Sequence, residues 1–243
     1  MLPNFVIVGA MRGGSSALAR AVSQHPDVVI APGKEVHFFN RKFDRGLDWY
    51  ESLFAGNENV PARGDATPLY MYDALARRRM TETLPTARFI AIIRDPVDRA
   101  YSHYWHNRRR ERENRAFEDA VKAKPSEQIL DYMGLSRYAE NLRDLDSAAP
   151  ERLMVLINED LRHRRAETLE RVWNFIGVEP GRGSIEPPPP RRSLMARLRQ
   201  RRRAPKDYPP LAEATRAQLV KEFTAEIDAL EEWLGRDLSA WRS

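Results

Sequence analysis

Three short stretches hold residues whose types and spacing can do chemistry. The first is Gly9-Ala10-Met11-Arg12-Gly13-Gly14-Ser15-Ser16, directly after the apolar run Phe5-Val6-Ile7-Val8. It reads as a strand, a glycine turn carrying one arginine, and a helix that opens on two hydroxyl residues. Glycines let turn amides curl around an anion. The first amides of a helix lack internal acceptors and lie at the positive end of its dipole. The chemistry is binding of a phosphate-type anion, with a tightly packed strand-turn-helix as the alternative. Gly9 and Gly14 stand where the phosphate loop G-x-x-x-x-G-K-[ST] has its glycines, but Ser15 stands where that loop has its lysine.

The second stretch is Lys34-Glu35-Val36-His37-Phe38-Phe39-Asn40, just after the turn signal Pro32-Gly33. In extended chain, residues two apart share a face, so Glu35 and His37 are expected to look into one cavity. A carboxylate among apolar residues has its pKa raised, which suits a general base; a surface glutamate beside a hydrogen-bonded histidine is the alternative. The third stretch begins at Arg94, after the apolar run Phe89-Ile90-Ala91-Ile92-Ile93. Asp95 and Pro96 are N-cap and first residue of a helix that carries Ser102 about two turns on. Arg94 then lies at the carboxyl end of a buried strand, where open α/β sheets bind ligands. A salt bridge from Arg94 to Asp98 is the competing reading.

The elements that must position these residues follow from periodicity. Val28–Ile30 and Leu153–Ile157 join the two runs above as strands, and 16–25, 73–83, 138–145 and 166–176 read as helices, the second with exposed arginines. The stretch 64–70 reads as a turn bordering a cleft, and 107–115 as a charged, solvated helix end. Pro187 to Pro190 form a stiff segment, and seven arginines fall within 191–203, so a lid or solvated segment is expected at about 184–207. A long amphipathic helix closes the chain. With 243 residues, the expectation is a single α/β domain over 1–243, with a phosphate-loop-like central parallel sheet flanked by helices on both faces.

Composition narrows the chemistry. Cysteine is absent, which removes disulfides and thiolate chemistry, and the five histidines show no zinc spacing, so no metal is expected. No apolar run approaches the roughly 18–20 residues of a membrane span, so stable membrane insertion is not expected. The N-terminus enters a strand without the pattern of a secretory signal, giving a cytoplasmic expectation. Arginine dominates the cations behind a net charge of +5. That suits bidentate recognition of phosphate or sulfate and does not by itself imply nucleic acid.

Taken in order, the segments resemble the sulfotransferases that use 3′-phosphoadenosine 5′-phosphosulfate (PAPS), in the branch of the heparan sulfate enzymes, as a small soluble bacterial-type member. Arg12-Gly13-Gly14-Ser15-Ser16 is similar to that family's 5′-phosphosulfate loop, and Lys34 to Phe39 to the segment with its catalytic glutamate. Gly46-Leu47-Asp48-Trp49-Tyr50 matches its G-x-x-W-Y, and Arg94 to Ser102 its 3′-phosphate motif R-x-P-x-x-R-x-x-S. Tyr208-Pro209-Pro210 resembles the end of its late nucleotide loop. The resemblance implies Glu35 as base, His37 and Arg12 as catalytic partners, and Arg12 to Ser16, Arg94, Ser102, Arg203 and Lys206 as PAPS contacts. It also implies a small-molecule or glycan acceptor and no metal.

The chain departs from that pattern. Arg12 replaces the usual loop lysine and Ser15 a common threonine. Ala66 stands where the glycosaminoglycan enzymes carry a lysine, and Asn40 where some carry an aspartate. Hydroxyl and amine acceptors, and the oligomeric state, stay open. A nucleotide kinase and a non-catalytic polyanion-binding protein are the competing functions; metal dependence and selectivity for a 3′-phosphate separate them.

Overall fold

The computed structural model describes residues 1–33, 35–186 and 208–243. Its most apolar runs form the middle of a sheet. Strands β1 (Phe5–Gly9), β2 (Val28–Ile30), β3 (Ala62–Ala66), β4 (Arg88–Ile93) and β5 (Leu153–Ile157) pair in the order β2-β3-β1-β4-β5, every pair parallel. Among the described residues the helices are α1 (Ser15–Val22), α2 (Phe38–Arg41), α3 (Gly46–Ser52), α4 (Ala74–Thr83), α5 (Pro96–Arg108), α6 (Phe117–Lys122), α7 (Ala139–Ala148), α8 (Asn158–His163), α9 (Arg165–Ile176) and α10 (Glu213–Leu234). The expected α/β class with a central parallel sheet is what the chain forms.

The chain divides into two compact units, Met1–Arg94 with Glu140–Pro188, and Asp95–Ala139 with Pro189–Ser243. The first holds the whole sheet. Central β1 is covered on both faces, with Phe5 through Val8 fully buried, which is why it is continuously apolar. Leu18 and Val22 of α1 and Leu169 and Trp173 of α9 share one core with Ile7 and Ile90. The Trp173 indole N–H donates to the Val22 carbonyl at 3.2 Å, so its one polar atom is satisfied in that core. Chain leaving β1 goes on to β2 and β3 on one side, and the chain then crosses to β4 and β5 on the other. The ends of β1 and β4 therefore flank the switch point at which such sheets bind ligands.

Two expectations change within this unit. Residues 64–70 are a turn only in part: Gly64 to Ala66 belong to β3, a strand without the apolar run that would have marked it, and the turn begins at Thr67, whose carbonyl accepts from the Tyr70 N–H at 3.1 Å. The arginines of 73–83 are not all exposed either. Arg77 is buried, donating to Asp144 Oδ2 at 2.7 Å, Asn141 Oδ1 at 2.8 Å and the Met71 carbonyl at 2.7 Å, so it ties α4 to α7.

In the second unit, Asp95 caps α5 as expected, its Oδ1 accepting from the amides of Val97 at 2.8 Å and Asp98 at 3.1 Å. Arg216 of α10 reaches both Asp95, at 3.1 Å, and Asp98, at 2.6 Å. The 107–115 stretch is more than a solvated end, because Asn107 and Glu113 are buried. Glu113 Oε1 accepts from Arg115 Nε at 2.8 Å, while its Oε2 accepts from Arg115 Nη2 at 2.7 Å and from the Tyr132 hydroxyl at 3.2 Å. These donors, Arg115 above all, hold the Glu113 carboxyl at about 2, below its ordinary 4.5. A depressed native pKa contributes stability that is present above the unfolded value and is lost as pH falls through the folded one. Glu113→Gln should therefore melt below the native protein at neutral pH, with the gap narrowing as pH falls from 4.5 toward about 2. Melting curves across that range check it, and a gap independent of pH contradicts it.

Candidate functional site

The loop after β1 is pressed against its neighbours. The Ala10 N–H donates to the Ile92 carbonyl at 2.8 Å, and the Gly13 N–H closes the turn on the Ala10 carbonyl at 2.9 Å. A Cβ on Gly13 would collide with the Ile92 carbonyl, and one on Gly14 with the Asn158 side chain; Gly14 also has φ +121°. Only glycine fits both places. The Gly13 amide is committed to the turn, and its bare Cα lets the turn close on the Ile92 carbonyl. The amides of Ser15 and Ser16 open α1, at positions that have no acceptor within the helix. Arg12 stands in the same turn with a left-handed backbone, φ 66°.

Glu35 and His37 come together, though not as residues on one face of extended chain. Both have left-handed backbones, φ 67° and 59°, and this tight turn brings Glu35 Oε2 to 3.6 Å from His37 Nε2. The Glu35 side chain is 33% exposed and that of His37 15%, so the carboxylate is reachable while the ring is held. His37 Nδ1 lies 3.2 Å from Asn40 Oδ1. With that oxygen accepting from Nδ1–H, the ring is held in place beside the carboxylate. Lys42 Nζ donates to the Val36 carbonyl at 2.8 Å, fixing the turn from outside.

Behind this turn lies a buried polar cluster that the sequence did not reveal. Asp65 and Thr67 at the end of β3, with Tyr50 and Tyr70, are all fully buried. Asp65 Oδ1 accepts from the Thr67 hydroxyl at 2.7 Å, and its Oδ2 from the hydroxyls of Tyr50 and Tyr70, both at 2.9 Å. Two of those hydroxyls accept in turn from the site segment: Thr67 Oγ1 from the His37 N–H at 3.3 Å, and the Tyr70 oxygen from the Phe39 N–H at 3.4 Å. Burial raises the Asp65 pKa, and the three hydroxyls act against that rise. Tyr50 and Tyr70 are raised too, by burial first and by Asp65 second. The signal available in the sequence was the period-two spacing of Asp65 and Thr67, but with only alanines beside them in place of large apolar residues it did not read as strand. Tyr50 was legible only as core, and it does stack on Phe38 with centroids 4.2 Å apart.

Arg94 follows β4 directly, next in the sheet to the strand that leads into the Arg12 turn. Along the carboxyl edge of the first unit, the strand ends therefore present in order the Glu35–His37 turn, Asp65–Thr67, the Arg12–Ser16 turn, Arg94 and Asn158. Ser102 belongs to the second unit, where it is buried on α5. In that unit Tyr208 lies parallel to Trp105, with centroids 5.9 Å apart, and the Tyr101 hydroxyl donates to the Pro209 carbonyl at 2.9 Å. Lys34, Arg203, Lys206 and the Pro/Arg-rich stretch 187–207 lie outside the described residues. Among the described residues, no group of three or more His, Asp or Glu gathers as a metal site, and no helix is long and apolar enough to cross a membrane.

A family model, the sulfotransferase domain, matches residues 2–195. The chain belongs to the sulfotransferase family. Human heparan sulfate glucosamine 3-O-sulfotransferase 3B1 is 31% identical over 183 residues, which cover 73% of this chain and 47% of that protein. Mouse bifunctional heparan sulfate N-deacetylase/N-sulfotransferase 3 is 31% identical over 197 residues, 74% of this chain and 23% of that protein. The chain thus spans about half, or less, of the length of these relatives. The crystal structure of a sulfotransferase from Alicyclobacillus acidocaldarius matches over 100% of both chains with a TM-score of 0.85 and 27% identity.

The Asp65 cluster makes a distinctive energetic pattern. Asp65→Ala leaves three buried hydroxyls without their acceptor and should cost about 3 kcal/mol or more, at about 1–3 for each unsatisfied group. Tyr50→Phe removes one donor and should cost only about 1 kcal/mol. Adding Tyr50→Phe to Asp65→Ala should then cost less than it does alone, because the orphaned hydroxyl is gone. Denaturant melts of the four proteins measure this, and additive losses would contradict the cluster.

Proposed function

We propose that the protein transfers a sulfuryl group from PAPS to a hydroxyl or amine of a glycan or small-molecule acceptor, with Glu35 as general base. The observation that carries this reading is the common edge: the Glu35–His37 turn, the Arg12–Ser16 turn and Arg94 follow strands of one parallel sheet. Family membership supports the reaction class. The Arg12–Ser16 turn suits a phosphate-type group, since it carries one arginine and the unsatisfied first amides of α1 follow at once.

The donor supplies a sulfuryl group whose departure leaves negative charge on the oxygen that bridged sulfur to the 5′-phosphate. Glu35 takes the acceptor's proton as the acceptor atom bonds to sulfur and the sulfur–oxygen bond to the 5′-phosphate breaks. The electron pair of that bond stays with the phosphate. Arg12 and the amides of Gly14 to Ser16 face the charge as fixed donors, which need no reorganisation at the moment of reaction. His37, steadied by Asn40, orients the Glu35 carboxylate. Arg94 is assigned the 3′-phosphate, with Ser102 as the motif's second donor; Arg203 and Lys206 are assigned to the nucleotide from the sequence alone.

Both relatives described above act on heparan sulfate by name. In this chain Asn40 and Ala66 are uncharged residue types, Asn40 held against His37 and Ala66 buried in β3, so neither offers a charge to an acidic sugar. The acceptor is therefore assigned only as a hydroxyl or amine.

Thermal unfolding with adenosine 3′,5′-bisphosphate, 5′-AMP and Mg-ATP in separate samples tests the nucleotide assignment. A ligand at 100 times its Kd should add about 2.7 kcal/mol and raise Tm by about 2–4 °C. The bisphosphate should give that rise with chelator present, and 5′-AMP far less. A rise with Mg-ATP alone, or none with the bisphosphate, overturns the assignment.

A further inference from the structure

The Arg12–Ser16 turn contains a Gly13–Gly14 peptide, and a peptide between two glycines flips easily because neither residue has a Cβ. One side of a peptide is a donor and the other an acceptor. An anion bound at this turn needs the Gly14 N–H; the flipped peptide would present the Gly13 carbonyl oxygen instead.

Asn158 acts on this peptide from two strands away. It follows β5 directly, and the pairing of Ile93 with Ile157 sets it next to the end of β4. Its Nδ2 donates to the Gly13 carbonyl at 2.8 Å. The peptide is trans, so the Gly14 N–H points opposite to that carbonyl. The same Nδ2 occupies the space that a Gly14 Cβ would need. One side chain thus holds the carbonyl, fixes the amide's direction, and accounts for the bare Gly14.

We propose that Asn158 is a positioning residue for the anion loop: it latches the Gly13–Gly14 peptide in the orientation that turns the Gly14 amide toward the 5′-phosphate. The inference rests on the assignment of this turn to the 5′ end of PAPS. It separates Asn158 from a merely structural residue, because a latch on this loop affects ligands with a 5′-phosphate and leaves others alone.

Calorimetry of the full chain with adenosine 3′,5′-bisphosphate and adenosine 3′-monophosphate tests it. Asn158→Ala should weaken the bisphosphate about tenfold, the worth of one net hydrogen bond, and leave the 3′-monophosphate within about twofold. Asn158→Ser, too short to reach the carbonyl, should show the same selective loss and serves if the alanine variant does not fold. Equal losses for both ligands, or no loss, would overturn the latch while the loop assignment stands. A native protein that binds neither nucleotide would overturn both.

Discussion

One backbone hydrogen bond sets the geometry of the site edge. The Ala10 N–H donates to the Ile92 carbonyl, carrying the β1–β4 pairing past the last residue of β1. The chain must then turn at once, and Gly13 folds back against that same carbonyl, where no Cβ fits. The start of α1 is fixed by this turn, and α1 brings Leu18 and Val22 into the core above the sheet. The glycine turn and the core are thus joined through α1.

On the other side of β1 the constraint is polar. Left-handed backbones at Glu35 and His37 are sparsely populated conformations, costing about 1–3 kcal/mol each, and persist only where their surroundings impose them. Here the surroundings are specific. The amides of His37 and Phe39 are held by the hydroxyls of Thr67 and Tyr70, and these hydroxyls are oriented by the Asp65 carboxyl. A buried carboxyl is costly unless satisfied, and three hydroxyls satisfy this one. The strained turn and the buried cluster therefore support each other. They place a partly exposed carboxylate on a rigid base, as a general base requires.

What was legible in the sequence was what a local pattern encodes. The strands around Ile7, Ile90 and Val155, the Asp95–Pro96 helix start, the helix that ends at Ile176 and the glycine turn all follow from short-range rules, and all are present. The spacing of Glu35 and His37 pairs them through extended chain, whereas a left-handed turn joins them. β3 was missed because Arg63 and Asp65 are charged, and their partners, such as the Leu2 carbonyl and Tyr50, are remote in sequence. Arg77 reads as a surface charge for the same cause, and Glu113 does so because it sits in a run of charges with nothing nearby to signal Tyr132. A buried charge is defined by the groups that satisfy it, and Asp144, at 67 residues' separation from Arg77, is not signalled by anything nearby.

The central claim is that Glu35 removes the acceptor's proton in a sulfuryl transfer. Transfer of radiolabelled sulfate from PAPS to a panel of hydroxyl and amine acceptors, by the native protein and by Glu35→Gln, tests it most directly. The account predicts labelled product from the native protein and a rate lower by about 10²–10⁴ in the variant, with affinity for adenosine 3′,5′-bisphosphate unchanged. Equal rates would contradict the role of Glu35, and a variant that loses nucleotide affinity in step with rate would show a binding residue rather than a base.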